Sequence, residues 1–169
     1  MTEIRDYNGK GRWSRESIIQ RFAEYSRSLG SSVGELEAVT YDDDSVTWIY
    51  PLAESVIKGI ENRDRACIEL GLELIEDSSS MPFGMILKSN TSRALRKAYD
   101  SLTHEQQDRI RRRVADMMIT KYMPREFVQY VKLVKKIGFG DEIERVKSQA
   151  DLSDRWVRHY LDQFEEGEK

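Results

Sequence analysis

The sequence predicts an all-α fold, for three reasons. Apolar residues recur at α-helical spacing almost without interruption over residues 51–164. Short connectors divide the chain into about eight helical segments, which is typical of packed antiparallel helix pairs. The pair Met81-Pro82 returns 42 residues later as Met123-Pro124, each time between two helix-like segments. Proline lacks an N–H and fits only the first turn of a helix, so prolines 51, 82 and 124 are predicted to open helices.

The N-terminal part is predicted to contain a flexible lead over residues 1–12, then one helix and a connector over 13–50. Ser14 is a suitable N-cap and Glu16 suits the positive first turn. Gly30 can end this helix after Leu29. In the connector, residues 34–39 are compatible with a short helix and residues 42–44, three aspartates, with a solvated turn. Residues 45–50 have the composition of a strand, but no second strand follows, so we expect an extended connector.

The next region is predicted to start with an amphipathic helix after Pro51 and a central helix over residues 63–77. The central helix is apolar on more than one face, and its Cys67 is expected to be a buried small hydrophobe rather than a nucleophile. Gly71 lies inside it and costs about 1 kcal/mol relative to alanine, which the close approach of a neighbouring helix would offset.

Residues 83–102 are predicted to be broken, because the polar run 89–92 competes with helix geometry. We expect a short piece over 83–88 and a second helix through Tyr99. Thr103 and Gln106 form a capping-box pattern that starts the following helix.

The C-terminal helices are delimited by turn-forming residues. The helix after Pro124 should end at residues 138–140, Gly-Phe-Gly, and a short helix should start at Asp141. The last helix is predicted to start at Ser153 and to end before an acidic tail over 165–169. Its inward residues are predicted to be Trp156, Val157, Tyr160, Leu161 and Phe164.

Aligning the two Met-Pro junctions places residues 63–102 over 105–144, with Leu72 on Val114 and Ile75 on Met117. In this period and apolar register, about half of the chain resembles HEAT-like helical repeats. The resemblance implies an α-α superhelix of HEAT-like helical pairs, with a curved stack over 51–164 and a concave ligand-binding face. We expect one all-α domain over residues 13–164.

A shorter segment, residues 13–19 with Gly30, is similar to the opening helix of the small helical repeats attached to some homing endonucleases. The second helix and the Phe-Gly-aromatic turn of such repeats are not evident in residues 31–60, and no nuclease residues accompany the segment.

The composition indicates a cytoplasmic protein. No stretch approaches the ~18 apolar residues of a membrane helix, and residues 1–6 lack the apolar run of a secretory signal. The single cysteine excludes an internal disulfide and a cysteine-based zinc site. The net charge of −3 argues against a generic polyanion binder. It is unevenly distributed, with −7 over residues 1–87, +8 over 88–136 and −4 over 137–169.

The basic middle supplies the candidate binding residues. Because several of these residues share exposed helix sides, they are predicted to form a basic strip for an anion or a partner. A solvated surface that pairs with the acidic ends of the chain is the other interpretation. The strip comprises Arg93, Arg96, Arg109, Arg112, Arg113, Lys121, Arg125, Lys132 and Lys136.

No catalytic, metal or nucleotide motif is evident, so we expect no enzyme activity and no cofactor. His104 and His159 are 55 residues apart and lack ligand-spaced companions. Glu73, Glu76 and Asp77 are typical of the surface of a helix end. The sequence therefore favours a binding or scaffold module for a protein partner, with nucleic-acid binding through the basic strip as the alternative. It leaves the oligomeric state open.

Overall fold

The structure, a computed structural model, describes residues 11–34, 36, 49–79, 81 and 83–167, with the backbone alone for residues 49–51. Within these residues the chain forms eight α-helices and two 3₁₀ turns, and no strand. The helices pack against one another, which confirms the all-α prediction. The chain divides into two compact units, unit 1 (residues 1–98) and unit 2 (residues 99–169). The single domain expected over 13–164 stays a prediction.

In its described part, unit 1 contains four α-helices after a 3₁₀ turn over Gly11–Trp13. They are α1 (Arg15–Leu29), α2 (Ile49–Glu61), α3 (Arg65–Glu76) and α4 (Gly84–Lys97). Helix α3 packs against the other three helices, and eight of its twelve residues are buried. The prediction of a central helix is confirmed, because a helix that is covered on several sides needs apolar residues on more than one face.

The predicted start and end of α1 are confirmed. The Ser14 hydroxyl accepts a hydrogen bond from the Ser17 N–H at 3.2 Å, and Gly30 follows the helix with a φ of 80°. The last two residues of the predicted flexible lead, Gly11 and Arg12, are ordered instead. They belong to the 3₁₀ turn that ends at the buried Trp13. Residues 1–10 lie outside the described residues.

Two glycines allow the helices of unit 1 to approach closely. A Cβ on Gly71 would lie 2.5 Å from Ile60 Cδ1 and 3.1 Å from Thr91 Cγ2, as predicted for a close neighbour. A Cβ on Gly59 would lie 2.9 Å from the Cβ of Cys67, which is fully buried. Burial raises the pKa of the Cys67 thiol, so this residue is a packed, neutral side chain.

The predicted break in α4 is wrong, since this helix runs unbroken through residues 89–92. Thr91 and Ser92 are buried, and the Ser92 hydroxyl donates to the Lys88 carbonyl oxygen at 2.9 Å. The polar side chain is therefore satisfied one turn back within the helix itself.

The connector prediction is only partly covered by the described residues. Helix α2 starts at Ile49, so Ile49 and Tyr50 are helical rather than extended, and Pro51 lies in the first turn as predicted. Gly34 and Leu36 are not helical. The rest of 34–39, the aspartates 42–44, residues 45–48 and Pro82 lie outside the described residues.

Unit 2 contains a 3₁₀ turn over Tyr99–Ser101 and four α-helices. They are α5 (His104–Ile119), α6 (Phe127–Ile137), α7 (Glu142–Gln149) and α8 (Arg155–Gly167). Helix α5 packs against α6 and α7, and α8 packs against the same two helices. The core includes Ile110, Val114, Phe127, Tyr130 and Phe139.

Several predicted helix ends in unit 2 are confirmed. The capping box of Thr103 and Gln106 is formed in both directions. Gly138 and Gly140 have φ values of 84° and 60° and separate α6 from α7, which follows directly after Asp141.

Three boundary predictions in unit 2 are wrong. Pro124 lies in a turn three residues before α6, where its carbonyl oxygen accepts from the Phe127 N–H at 2.9 Å. Asp154, not Ser153, caps α8, because its Oδ1 accepts from the N–H groups of Trp156 and Val157. Helix α8 continues to Gly167, and Glu165 of the predicted tail pairs with Lys147 at 2.6 Å. Residues 168–169 lie outside the described residues.

Candidate functional site: the aromatic face of α8

Helix α8 carries a row of tryptophan, histidine and tyrosine side chains next to the side that faces the core. Val157, Leu161 and Phe164 are buried and attach the helix to unit 2. Trp156, His159 and Tyr160 follow one another at the i, i+3, i+4 spacing that places residues on one side of a helix. We call these three residues the aromatic face of α8.

Trp156 is the most exposed large apolar residue of the described chain, at 50% of its surface. The sequence prediction that it faces the core is wrong. Its ring stacks on Tyr160, with centroids 6.4 Å apart, and meets His159 edge-on at 5.9 Å. The Arg155 guanidinium carbon lies 4.9 Å from the Trp156 ring centroid, a distance suited to a cation–π contact.

Tyr160 connects the exposed tryptophan to the interior. Its ring packs edge-on against the buried Phe127 of α6, with centroids 5.0 Å apart. Because Tyr160 is in contact with both rings, the orientation of Trp156 is supported from the core outward. A side chain held in this way loses less conformational entropy when a partner binds.

The loop before α8 fixes the start of this helix. Asp151 forms an ion pair with Lys121 at 3.1 Å, and the Arg158 guanidinium donates to the Leu152 carbonyl oxygen at 3.2 Å. Hydrogen bonds from the Ser153 hydroxyl, and then from Lys121, lower the pKa of Asp151 to about 2. Together with the Asp154 cap, these contacts hold the first turn, which carries Trp156.

The predicted basic strip is distributed over both units. Arg93 and Arg96 belong to α4 in unit 1, and the other seven residues belong to unit 2. Within unit 2, Lys121 is paired with Asp151, and the Lys136 ammonium lies 4.5 Å from the Tyr99 ring centroid. Arg109 and Arg113 are half-buried on α5. Arg112, Arg125 and Lys132 are exposed.

Arg111 and Arg145 connect elements of unit 2, although sequence reasoning did not single them out. The Arg111 guanidinium donates to the carbonyl oxygens of Gly138 at 2.7 Å and Ile137 at 3.0 Å, so it satisfies the end of α6. Arg145 pairs with Asp116 and Glu142. The spacing of Arg111 from Asp108 and Gln107 was the only local signal, because the carbonyl partners are more than 25 residues away.

The acidic residues at the end of α3 contact the first described residues of the chain instead of forming a ligand site. Glu73 accepts hydrogen bonds from Arg21 and Tyr25 and lies 3.1 Å from Arg12. Burial, followed by the hydrogen bond to Glu73, raises the pKa of Tyr25 to about 12. Asp77 Oδ2 accepts from the Trp13 ring N–H at 2.7 Å.

The two histidines are far from any converging set of ligands. His104 is exposed on the first turn of α5, and the His159 ring contacts the Gln163 side chain at 2.9 Å. Across the described residues, no three His, Cys, Asp or Glu side chains are grouped so that they could hold a metal ion. None of the described helices combines the length and the apolar character that crossing a membrane requires.

The chain matches no protein-family model, no curated protein and no solved structure.

Proposed function

We propose that this chain is a non-enzymatic binding module whose protein partner docks on the aromatic face of α8. One observation carries the proposal: Trp156 is half-exposed and yet held in place by neighbouring rings. Tryptophan is among the residues that contribute most to binding energy at protein interfaces. The exposed Arg155 and Arg158 on the same turns favour a partner with acidic residues.

Substitution of Trp156 by alanine tests this function. Proteins captured from cell extract by the wild-type chain should be identified, purified and titrated against both chains. Trp156→Ala should weaken the direct interaction at least about tenfold, the effect of truncating a central aromatic residue. Since Trp156 is half-exposed, its replacement should leave the thermal unfolding temperature nearly unchanged.

Tyr122 offers a matched control, because it is an aromatic residue of the same unit with 40% exposure. Tyr122→Ala should retain binding. A partner that binds Trp156→Ala as tightly as wild type would contradict the proposal.

Nucleic-acid binding is the second candidate, and the exposed Arg112, Arg125 and Lys132 of unit 2 favour it. Against it, residues 99–169 contain 14 basic and 14 acidic residues, so that unit 2 has no net positive charge. If this candidate is correct, affinity for single- or double-stranded DNA or RNA should fall steeply with salt. Replacing Arg112 and Arg125 by alanine should make the slope shallower by roughly two. Absence of binding at ~50 mM salt would exclude it.

The repeat-like organisation is a further part of the proposal. The pairs α3–α4 and α5–α6 each enclose a Met-Pro junction, and the matched residues Leu72, Ile75, Val114 and Met117 are all buried. This supports HEAT-like pairs, whose helices commonly present surfaces to partners. A cytoplasmic location belongs to the same proposal.

A further inference from the structure

A groove of about 380 Å³ lies between α2 and α4 in unit 1. Two apolar residues that line it, Ile57 of α2 and Leu87 of α4, are buried. Its other lining residues are polar or charged: Glu54, Lys58, Glu61, Asn90, Arg93, Arg96 and Lys97. The volume falls within the ~300–1,000 Å³ that is usual for small-molecule sites.

The lining has an excess of positive charge, with four basic residues against two acidic ones. Glu61 and Lys97, the last residues of α2 and α4, pair across one end of the groove at 3.1 Å. Glu54 lies 4.0 Å from Lys58 on the same helix. Each carboxylate is therefore matched by one lysine, and the two arginines of α4 account for the excess.

These two arginines differ in their surroundings. Arg93 is exposed, and its Nη1 donates to Asn90 Oδ1 at 2.8 Å. Arg96 is half-buried, and among the described residues it has no hydrogen bond or ion pair. A guanidinium carries five N–H donors in a planar fork that fits the oxygens of a carboxylate or phosphate. Within the described residues, the Arg96 donors are therefore unpaired, and they lie at a groove whose floor includes Ile57 and Leu87.

We propose that the α2–α4 groove binds an amphipathic organic anion. The carboxylate or phosphate group of the ligand accepts hydrogen bonds from Arg96. Its hydrocarbon part lies on Ile57 and on the aliphatic stems of the lining lysines and arginines, above the buried Leu87. The excess positive charge of the lining selects anions, and Ile57 with the aliphatic stems of the lysines and arginines favours ligands with a hydrocarbon portion. Arg93 and Arg96, predicted from sequence as anion contacts, would then act in this groove.

Binding can be tested on the full chain by methyl NMR, with isotope-labelled Ile, Leu and Val methyl groups. Three probes share an eight-carbon chain: octanoate, octyl phosphate and 1-octanol. Octanoate or octyl phosphate should shift the Ile57 and Leu87 methyl signals in a saturable manner. The tighter of the two identifies the preferred head group, and it should bind at least about tenfold more tightly than octanol because of its charge-assisted hydrogen bonds. Equal affinity for octanol, or no saturable shift at these two residues, would overturn the proposal.

Two variants locate the anion contact. Arg96→Gln should weaken anion binding about tenfold or more, whereas Arg96→Lys, which keeps the charge, should retain part of it. Lys132→Gln removes an exposed cation of unit 2 and should change nothing. If Arg96→Gln binds the anions like wild type, the assignment is wrong. If Arg96→Gln unfolds, the Arg96→Lys result decides, since loss of binding in that folded variant contradicts a charge-based contact. The site lies in unit 1, so Trp156 variants of unit 2 should bind these probes normally.

Discussion

At the scale of single residues, Asp64 is a carboxylate of unit 1 with several hydrogen-bond partners. Its Oδ1 caps α3 by accepting from the Cys67 N–H at 2.9 Å. Its Oδ2 accepts from the Ser31 hydroxyl at 2.6 Å and the Ser32 N–H at 2.8 Å. Burial alone raises the pKa of Asp64, but these hydrogen bonds outweigh burial and leave the pKa below its usual range. The buried charge therefore fastens residues 31–33 to the start of α3.

We predict that Asp64→Asn lowers the free energy of unfolding by about 2–3 kcal/mol, because an amide nitrogen would face the donors that now reach Oδ2. Thr103→Ala is the matched control. Thr103 caps α5 in the same way but is exposed, so its loss should cost only ~1 kcal/mol. Urea denaturation measures both. Equal losses would show that the contacts to residues 31–33 contribute little.

Asp77 makes stability depend on acid pH. Burial raises the pKa of Asp77, but hydrogen bonds from Ser79 and Trp13 and the charge of Lys88 outweigh burial and lower the pKa to about 2. An unfolded aspartate titrates near ~3.9, so the contribution of Asp77 is complete above that pH and is lost as pH falls towards 2. Asp64 acts in the same direction.

We therefore predict that the urea midpoint decreases between pH 5 and pH 2, and that Asp77→Asn reduces this decrease. A variant that retains the full pH dependence would exclude Asp77 as a source.

Sequence reasoning at this scale was successful where partners are local. Ser14 and Thr103 were assigned correctly as caps because their backbone partners lie three residues away. The partners of Asp64 in residues 31–33 lie more than 30 residues away, and no local pattern indicates them. Trp156 was misassigned for a related reason. Its spacing fits the core side of α8 approximately, and only the packing of α8 shows that Trp156 is exposed while Val157 is buried as predicted.

At the scale of elements, the helices were predictable and their interruptions less so. Periodicity located the helices, since the buried side of each one is a repeated pattern. The polar run in α4 predicted a break, but tertiary burial and the Ser92 hydrogen bond to Lys88 kept the helix continuous. Pro124 and Ser153 were placed too close to the helices that follow them, because a turn residue and a helix-starting residue are alike in composition.

The contact between α2 and α3 gives a prediction about packing. Gly59→Ala adds helix propensity worth about 1 kcal/mol, but the new Cβ would lie 2.9 Å from the Cβ of Cys67. Since a Cβ cannot move without its backbone, we expect a net loss of about 1–2 kcal/mol in unfolding free energy. Gly59→Ala should cost less unfolding free energy in a chain that already carries Cys67→Gly than it costs in the wild-type chain, because the clashing Cβ is then absent. Thermal denaturation of the four chains tests this, and a stabilised Gly59→Ala would refute the close contact.

At the scale of the whole molecule, the division after Ala98 was not predicted. The sequence indicates helices on both sides of this point with only a short connector, so nothing local marks a boundary. The interior of unit 2 includes Phe127, Tyr130, Phe139 and Phe164, which together form an apolar core of its own. The candidate site was equally hard to predict. Sequence reasoning selected the basic strip by its charge, whereas the aromatic face of α8 is defined by the rings that the packing leaves exposed.

We predict that residues 99–169 fold when expressed alone. The fragment should show helical circular dichroism and a cooperative thermal transition, since its four helices bury their apolar sides within the unit. Phe139→Ala should abolish the transition, because this ring is 1% exposed and packs on Phe164 at 4.3 Å between ring centroids. A fragment without cooperative unfolding would show that unit 2 depends on the rest of the chain.

The buried thiol of Cys67 has a practical consequence. As the sole cysteine of the chain, it reacts with a thiol-specific dye only when the helices around it separate. The labelling rate of the unmodified protein therefore reports how often unit 1 opens. Any ligand that holds α2 and α3 together should slow that chemistry in proportion to its occupancy.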